Sequence, residues 1–405
     1  MTRLHCAGFG LAVAVFWTAG AAWAAAPMTA ADLPAEGDLA PFLGEPVFEV
    51  QDVFTGQRFP NVVVTTAGTV LVTWGGRGED YSYIVRRSQD GGATFGPVTT
   101  VAQPGFHGGG VTVDERSGAI FVFVDAAHPP REPQTTMGPL KVFRSQDDGR
   151  TWEEVEAVIH PDENGYVAAM HMCEAGITLR HGEHAGRLMR PSRVYQRGED
   201  DERGYNNAIY SDDGGETWYP SAPFPETGTG EGTLAELSDG RIYYNSRRHW
   251  APEGVEARRR WVAWSEDGGE TWGEASVAEV LPDGAQHRDY GLMAGLERLP
   301  VAGRDILVFS NIESPEGRRR GTVWASFDGG QTWPLKRLAD EGEFAYSSLA
   351  AGRPGTPSEG WLYLLYETGR HPDSSAKLAR FNLSWLLEGE PTGDGEVPDW
   401  VNPEQ

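Results

Sequence analysis

Five copies of one short turn signature punctuate this chain. They read Ser88-Gln-Asp90-Gly-Gly92-Ala-Thr94-Phe95, Ser145-Gln-Asp147-Asp-Gly149-Arg-Thr151-Trp152, Ser211-Asp-Asp213-Gly-Gly215-Glu-Thr217-Trp218, Ser265-Glu-Asp267-Gly-Gly269-Glu-Thr271-Trp272 and Ser326-Phe-Asp328-Gly-Gly330-Gln-Thr332-Trp333. Each separates two strand-like apolar runs. Aspartate folds its own backbone into a tight turn by local hydrogen bonding, glycine accepts the positive φ such turns need, and the closing aromatic packs beneath the hairpin. The copies recur roughly 55 to 65 residues apart, a period that fits one four-stranded sheet with surface loops, so the chain reads as an all-β array of repeated sheets.

Composition sets the outer bounds. With 405 residues, 39% hydrophobic content and 14 Trp, the chain buries a large core, and its short apolar runs bounded by 52 Gly favour strands over helices. The first residues, Met1-Thr2-Arg3, lead into an apolar stretch ending Ala22-Trp23-Ala24, the layout of a secretory signal. The expected division is therefore a signal peptide over 1–24, an N-terminal extension over 25–46, the repeat domain over 47–388 and a tail over 389–405, in a secreted or periplasmic protein with no membrane insertion after cleavage. Removal of the signal takes Cys6 with it and leaves Cys173 alone, so neither an internal disulfide nor a cysteine-rich metal site is expected. A formal net charge of −25 argues against nucleic acid as a partner, and any acidic ligand needs a local arginine cluster acting against the global field.

The turn signature resembles the Asp-box of sialidase-type β-propellers. In such a fold the strands of a blade run A to D from the centre outward. A box that joins C to D shares one face of the disc with the A–B turn, while the B–C and D–A connections occupy the other. Five boxes, with a strand near Phe48 to Val53 closing a last blade, imply a six-bladed β-propeller of four-stranded antiparallel blades without a free edge. Hairpins placed on this frame bring polar residues to the face opposite the boxes. Arg58 and Arg77 flank the open end of the first hairpin, and folding about Asp239 sets Glu231 across from Arg247. Arg318 opens an arginine run between two strands of the fifth blade, and Tyr346 and Glu367 meet in the last one.

On these residues the chain resembles the exo-α-sialidase family. Arg58-Phe59-Pro60 looks like its Arg-Ile-Pro element, with Phe in place of Ile; Gly230-Glu231-Gly232-Thr233 and Tyr244-Asn245-Ser246-Arg247 resemble its glutamate and second arginine. Arg318, Phe344-Ala345-Tyr346 and Leu365-Tyr366-Glu367 follow the rest of its pattern, although the first B–C loop is short. The resemblance implies a glycoside hydrolase that releases terminal sialic acid from sialylated glycans. In it Arg58, Arg247 and Arg318, with Arg77 nearby, bind the substrate carboxylate, and Glu367 holds Arg58. Tyr346 is the nucleophile, Glu231 its base and Asp80 the acid, with Glu79 as the alternative acid. The chemistry is coherent, because guanidinium forks clamp a carboxylate and a neutral phenol approaches an anionic sugar without repulsion. Another acidic sugar as substrate, or a non-catalytic carbohydrate-binding propeller, are the other readings. No cofactor or catalytic metal is expected, since His160, His171, His181 and His184 show no zinc spacing and suit loop and surface positions. Trp250, Trp324 and Trp361 are candidate sugar-stacking rings with blade packing as the alternative.

Overall fold

The computed structural model describes residues 33–401 apart from 76–80, 108, 127, 129, 131, 139, 172–173, 196–203, 250–253, 256–257, 284–290 and 370–373. Six small sheets lie side by side around an axis, each built on a meander of strands that pair in chain order, with further strands added at some outer edges. Blade 1 is Arg58–Val64, Val70–Gly75, Tyr83–Ser88 and Thr99–Ala102. Blade 2 has a broken inner strand, Phe106–His107 and Thr112–Val113, then Ile120–Asp125, Lys141–Ser145 and Glu153–Val155. Blade 3 runs Ile177–Thr178, Leu188–Val194, Tyr205–Ser211 and Thr217–Pro220, with Val158–Ile159 added in parallel at its edge. Blade 4 is Thr229–Glu236, Ile242–Arg248, Arg259–Ser265 and Ser276–Pro282. Blade 5 is Gly295–Arg298, Leu307–Ile312, Arg319–Ser326 and Leu335–Glu343, and Glu390–Pro391 extends it.

Blade 6 unites the two ends of the ring. Ser347–Ala351, Leu362–Thr368 and Ser375–Phe381 supply three strands, and Phe48–Thr55 pairs antiparallel along the outermost of them, from Phe48 opposite Phe381 to Thr55 opposite Ser375. The expected closure is thus present. Asn382, capping the short helix Leu383–Leu387 through the Trp385 amide at 3.0 Å, also accepts from the Val47 amide at 3.1 Å, so the seam is tied at its end.

Alternation along the strands makes the packing. Odd and even residues of a strand face different neighbouring blades. In the second strand of blade 2, Ile120, Val122 and Val124 join the cluster shared with blade 1, whereas Phe121 and Phe123 join the one shared with blade 3. The seam between blades 6 and 1 is filled by Val62, Val64, Trp74, Leu365 and Leu378. Each buried side chain of this size stabilises the ring by about 1.5–3 kcal/mol.

Every box works as a hydrogen-bonded staple. In the first, Thr94 donates to Asp90 from its amide at 2.9 Å and from its hydroxyl, Ser88 donates to Asp90 at 2.7 Å, and the Ser88 hydroxyl accepts the Gly92 amide at 2.8 Å. The Thr94 bonds hold the Asp90 carboxyl down to about 2. Glycine is required at the second position of the pair in the fourth box: Gly269 has φ 86°, and a Cβ there would lie 2.1 Å from the Met189 side chain.

The axis itself is polar. Toward the box face it holds a cavity of about 130 Å³ lined by Glu115, Glu236, Glu297, Arg180, Arg298 and Arg353. Residues before the first strand cross its end, with Arg298 paired to Glu36 and the Gly37 amide bonded to the Pro300 carbonyl at 2.9 Å. Glu115 takes both Arg180 and Arg353. Burial pushes Glu297 up to about 8. A carboxyl raised in this way binds a proton in the folded state that it loses in the unfolded one, so its contribution to stability is intact below pH about 4.5 and is lost as pH rises through about 8. Glu297→Gln is therefore expected to leave the melting temperature unchanged near pH 4 and raise it at pH 9, as measured by calorimetry at both values.

Candidate active site

Blade 1 enters the site through a distortion. Arg58 and Pro60 are in the ladder with Gly75 and Trp74, and the residue between them bulges out with Phe59 at φ 64°. A bulky side chain in the left-handed region costs on the order of 1–3 kcal/mol and persists only when its surroundings impose it. Glu367, from the second strand of blade 6, does so: one carboxylate oxygen accepts the Phe59 amide at 2.7 Å and the other accepts Arg58 at 2.8 Å. The Arg58 guanidinium is held charged, its pKa raised by Glu367, Tyr346 and Glu231 against the opposing effect of burial.

Tyr346 stands beside this pair, because the ladder of blade 6 continues past Ser347 through the Glu367 amide bonded to the Tyr346 carbonyl at 2.9 Å. Its hydroxyl donates to Glu231 Oε1 at 3.0 Å, and Glu231 Oε2 is paired with Arg247. The hairpin arithmetic holds: Gly232 is opposite Ser246, and a bulge begins where Glu231 and Arg247 meet. The guanidinium carbons of Arg58 and Arg318 each lie 5.2 Å from the centre of the Tyr346 ring. Burial, then the Glu231 charge, push the Tyr346 phenol up to about 12, against three arginines that pull it down. Arg318 precedes the third strand of blade 5, its carbonyl accepting the Phe344 amide at 3.1 Å. Arg319 and Arg320 belong to that strand rather than to the loop anticipated from the sequence, and Arg320 pairs with exposed Glu341 at 2.6 Å.

The structure thus brings together Arg58, Glu231, Arg247, Arg318, Tyr346 and Glu367 from four blades. Arg247 has no exposed surface, so Arg58 and Arg318 present the accessible positive charge. Arg77, Glu79 and Asp80 lie outside the described residues.

Several supporting residues escaped the sequence reading. Arg260 and Asp283, both fully buried, pair at 2.9 Å behind the Glu231 hairpin; Arg260 also donates to Asn245 at 2.6 Å, and Asp283 accepts the Arg248 amide at 2.8 Å. Glu174, buried on the axis and pushed well above the ordinary carboxyl range by that burial, accepts the Ser348 hydroxyl two residues from Tyr346. An aromatic wall adjoins the phenol: Phe59 is 5.9 Å from Tyr346 and 5.5 Å from Phe106, and Phe106 is 4.7 Å from His171. His171 corrects an expectation, since it has no exposed surface and belongs to this wall instead of a surface loop. No sequence period marks such residues; only the polar bias of an otherwise apolar inner strand hints at them. Trp324 is core between blades 4 and 5, and Trp361 packs with the core between blades 6 and 1, which removes both as sugar platforms; Trp250 lies outside the described residues. Among the described residues no cluster of three His, Cys, Asp or Glu is arranged to hold a metal.

Removing Glu367 leaves a buried amide unpaired and one partner of a largely buried ion pair missing. Glu367→Ala is expected to lower unfolding stability by about 3 kcal/mol in urea titrations. Glu341→Ala, at the exposed pair, is expected to change it by less than about 1 kcal/mol.

Residues 107–357 match the BNR repeat-like domain. The chain is 33% identical to a sialidase of Micromonospora viridifaciens over 85% of its own length and 55% of the relative's, and 27% identical to a sialidase of Bacteroides fragilis over 72% and 57%. It therefore spans little more than half of these curated relatives. An intramolecular trans-sialidase from Ruminococcus gnavus shares the fold with a TM-score of 0.64 at 18% identity, covering 82% of this chain and 95% of that one. With five box turns, six blades and a matching domain pattern, the chain belongs to the BNR-repeat family of sialidase-like six-bladed β-propellers.

Proposed function

We propose that this protein is an exported, retaining exo-α-sialidase acting on sialylated glycans. The observation that carries the reading is the 3.0 Å hydrogen bond from the Tyr346 hydroxyl to Glu231, set between the guanidinium groups of Arg58 and Arg318. Sialidase relatives at 33% and 27% identity support it.

A terminal sialic acid carries a carboxylate on the anomeric carbon. Arg58 and Arg318 pair with it by charge-assisted hydrogen bonds, and Arg247 supplies further positive potential from beneath. An anionic nucleophile would be repelled by that carboxylate; a phenol is not, and sialidases differ in this from most retaining glycosidases. With a phenol pKa near 12, attack needs a base in contact, and Glu231 already accepts the proton's hydrogen bond. As the Tyr346 oxygen bonds to the anomeric carbon, its proton passes to Glu231, and the glycosidic bond breaks toward the aglycone oxygen, which takes a proton from Asp80. Water then attacks the same carbon, giving its proton to the Asp80 carboxylate while Tyr346 leaves and is reprotonated by Glu231. Two displacements at one carbon return the starting configuration. The leader over residues 1–24 fits delivery to a compartment where glycans are met.

Two expected outcomes test the reading. Tyr346→Phe keeps the ring that packs against Phe59, so its unfolding curve should match the wild type while kcat on an aryl sialoside falls by about three orders of magnitude; near-normal turnover would remove Tyr346 as nucleophile. Arg318→Ala should cost about 3 kcal/mol in kcat/KM, roughly two orders of magnitude, because the bound carboxylate loses a charged partner. Unchanged kcat/KM would remove Arg318 from the clamp.

A further inference from the structure

We propose that Asp125 determines substrate specificity by accepting a hydrogen bond from a hydroxyl or amide hydrogen on the ring carbons remote from the anomeric carboxylate. The inference rests on the sialidase reading and extends it to a residue outside the Arg, Tyr and Glu constellation.

Asp125 ends the second strand of blade 2, Ile120–Asp125, at the face where the site opens. It shares a side of that strand with Phe121 and Phe123, which turn toward blade 3. In the ladder it is opposite Phe106, and antiparallel partners place their side chains on the same side with Cβ atoms about 5 Å apart. The Phe106 ring lies 5.5 Å from Phe59, and the Phe59 ring 5.9 Å from Tyr346. Asp125 is thus the far end of a row that starts at the nucleophile and runs toward blades 2 and 3. The carboxylate clamp is on blades 1, 4 and 5. A sugar anchored there by its carboxylate, with its anomeric carbon at Tyr346, directs its remaining ring carbons along this row.

The environment of Asp125 asks for a ligand. The residue is 4% exposed, and its Oδ2 atom is buried without a hydrogen-bond partner. Burial alone raises its carboxyl to about 7. A buried carboxyl oxygen left unpaired costs on the order of 1–3 kcal/mol, and a structural carboxylate in a folded core is normally bonded. Everything beside it in the strand is apolar. A sugar hydroxyl or acylamino group supplies the missing hydrogen.

The test compares wild type, Asp125→Asn and Asp125→Ala on an aryl sialoside and on analogues each lacking one remote substituent, the C4 hydroxyl or the C5 acylamino group. On the parent, Asp125→Ala is expected to lower kcat/KM about 10- to 100-fold, mainly through KM, with Asp125→Asn intermediate. On the analogue that lacks the contacted group, wild type and variants are expected to coincide. An equal loss on every analogue, or no loss on the parent, overturns the inference while leaving the sialidase reading intact. If neither variant folds, the wild-type series alone decides: one deletion must cost about 10-fold in KM, and a flat series overturns the proposal. A wild type that cleaves no sialoside overturns the sialidase reading and this inference together.

Discussion

Glu231 divides its two oxygens between the Tyr346 hydroxyl and the Arg247 guanidinium, in a place where none of the three side chains exposes more than 4% of its surface. A carboxylate so deeply placed is tolerable only because it is fully engaged, and each partner is in turn fixed by something else. Arg247 comes from the strand after Glu231, so the pair holds one hairpin to itself. Tyr346 comes from the last blade, so the third contact couples blade 4 to blade 6 across the axis. Beneath them Arg260 and Asp283 repeat the device: Arg260 donates to Asn245 and Asp283 accepts the Arg248 amide, which pins the strand on either side of Arg247.

The same logic divides the molecule into two chemistries. Between blades the contacts are aliphatic and aromatic, and their alternation sets register. Along the axis six inner strands converge, and a residue there faces other polar backbones and a narrow space instead of a neighbouring sheet. At the axis the carboxyls of Glu174 and Glu297 are raised by burial, whereas that of Asp90, in the first box, is lowered by its bonds to Thr94. The apolar contacts that set the register thus lie between the blades, and the centre holds groups whose protonation differs from that in water.

How much of this was legible in the residues follows from the same division. The boxes are local, so Ser, Asp, Gly and Thr at fixed offsets announce them, and they fix which face every hairpin end occupies. From there counting alone paired Glu231 with Arg247 and brought Tyr346 and Glu367 together. Residues whose role depends on distant partners carried no such mark. Arg260 ends a run of three arginines that carries no motif, yet it finds a carboxylate 23 positions away inside the protein. Phe59 reads as a departure from the Arg-Ile-Pro element, and nothing local shows that its amide is held by Glu367, 308 residues distant. His171 reads as one of four loop histidines until the inner strands of two blades bring it against Phe106.

The seam of blade 6 has a kinetic meaning. Phe48–Thr55 completes that blade, and Arg58 follows after only Gly56 and Gln57, while the residue that seizes Arg58, Glu367, lies in the same blade the N-terminal strand completes. Docking Phe48–Thr55 on Ser375–Phe381 and placing Arg58 against Glu367 therefore both span more than 300 residues of sequence, the kind of contact that forms slowly. Without that closure Arg58 lacks its carboxylate partner. The propeller becomes chemically competent only when the circle shuts.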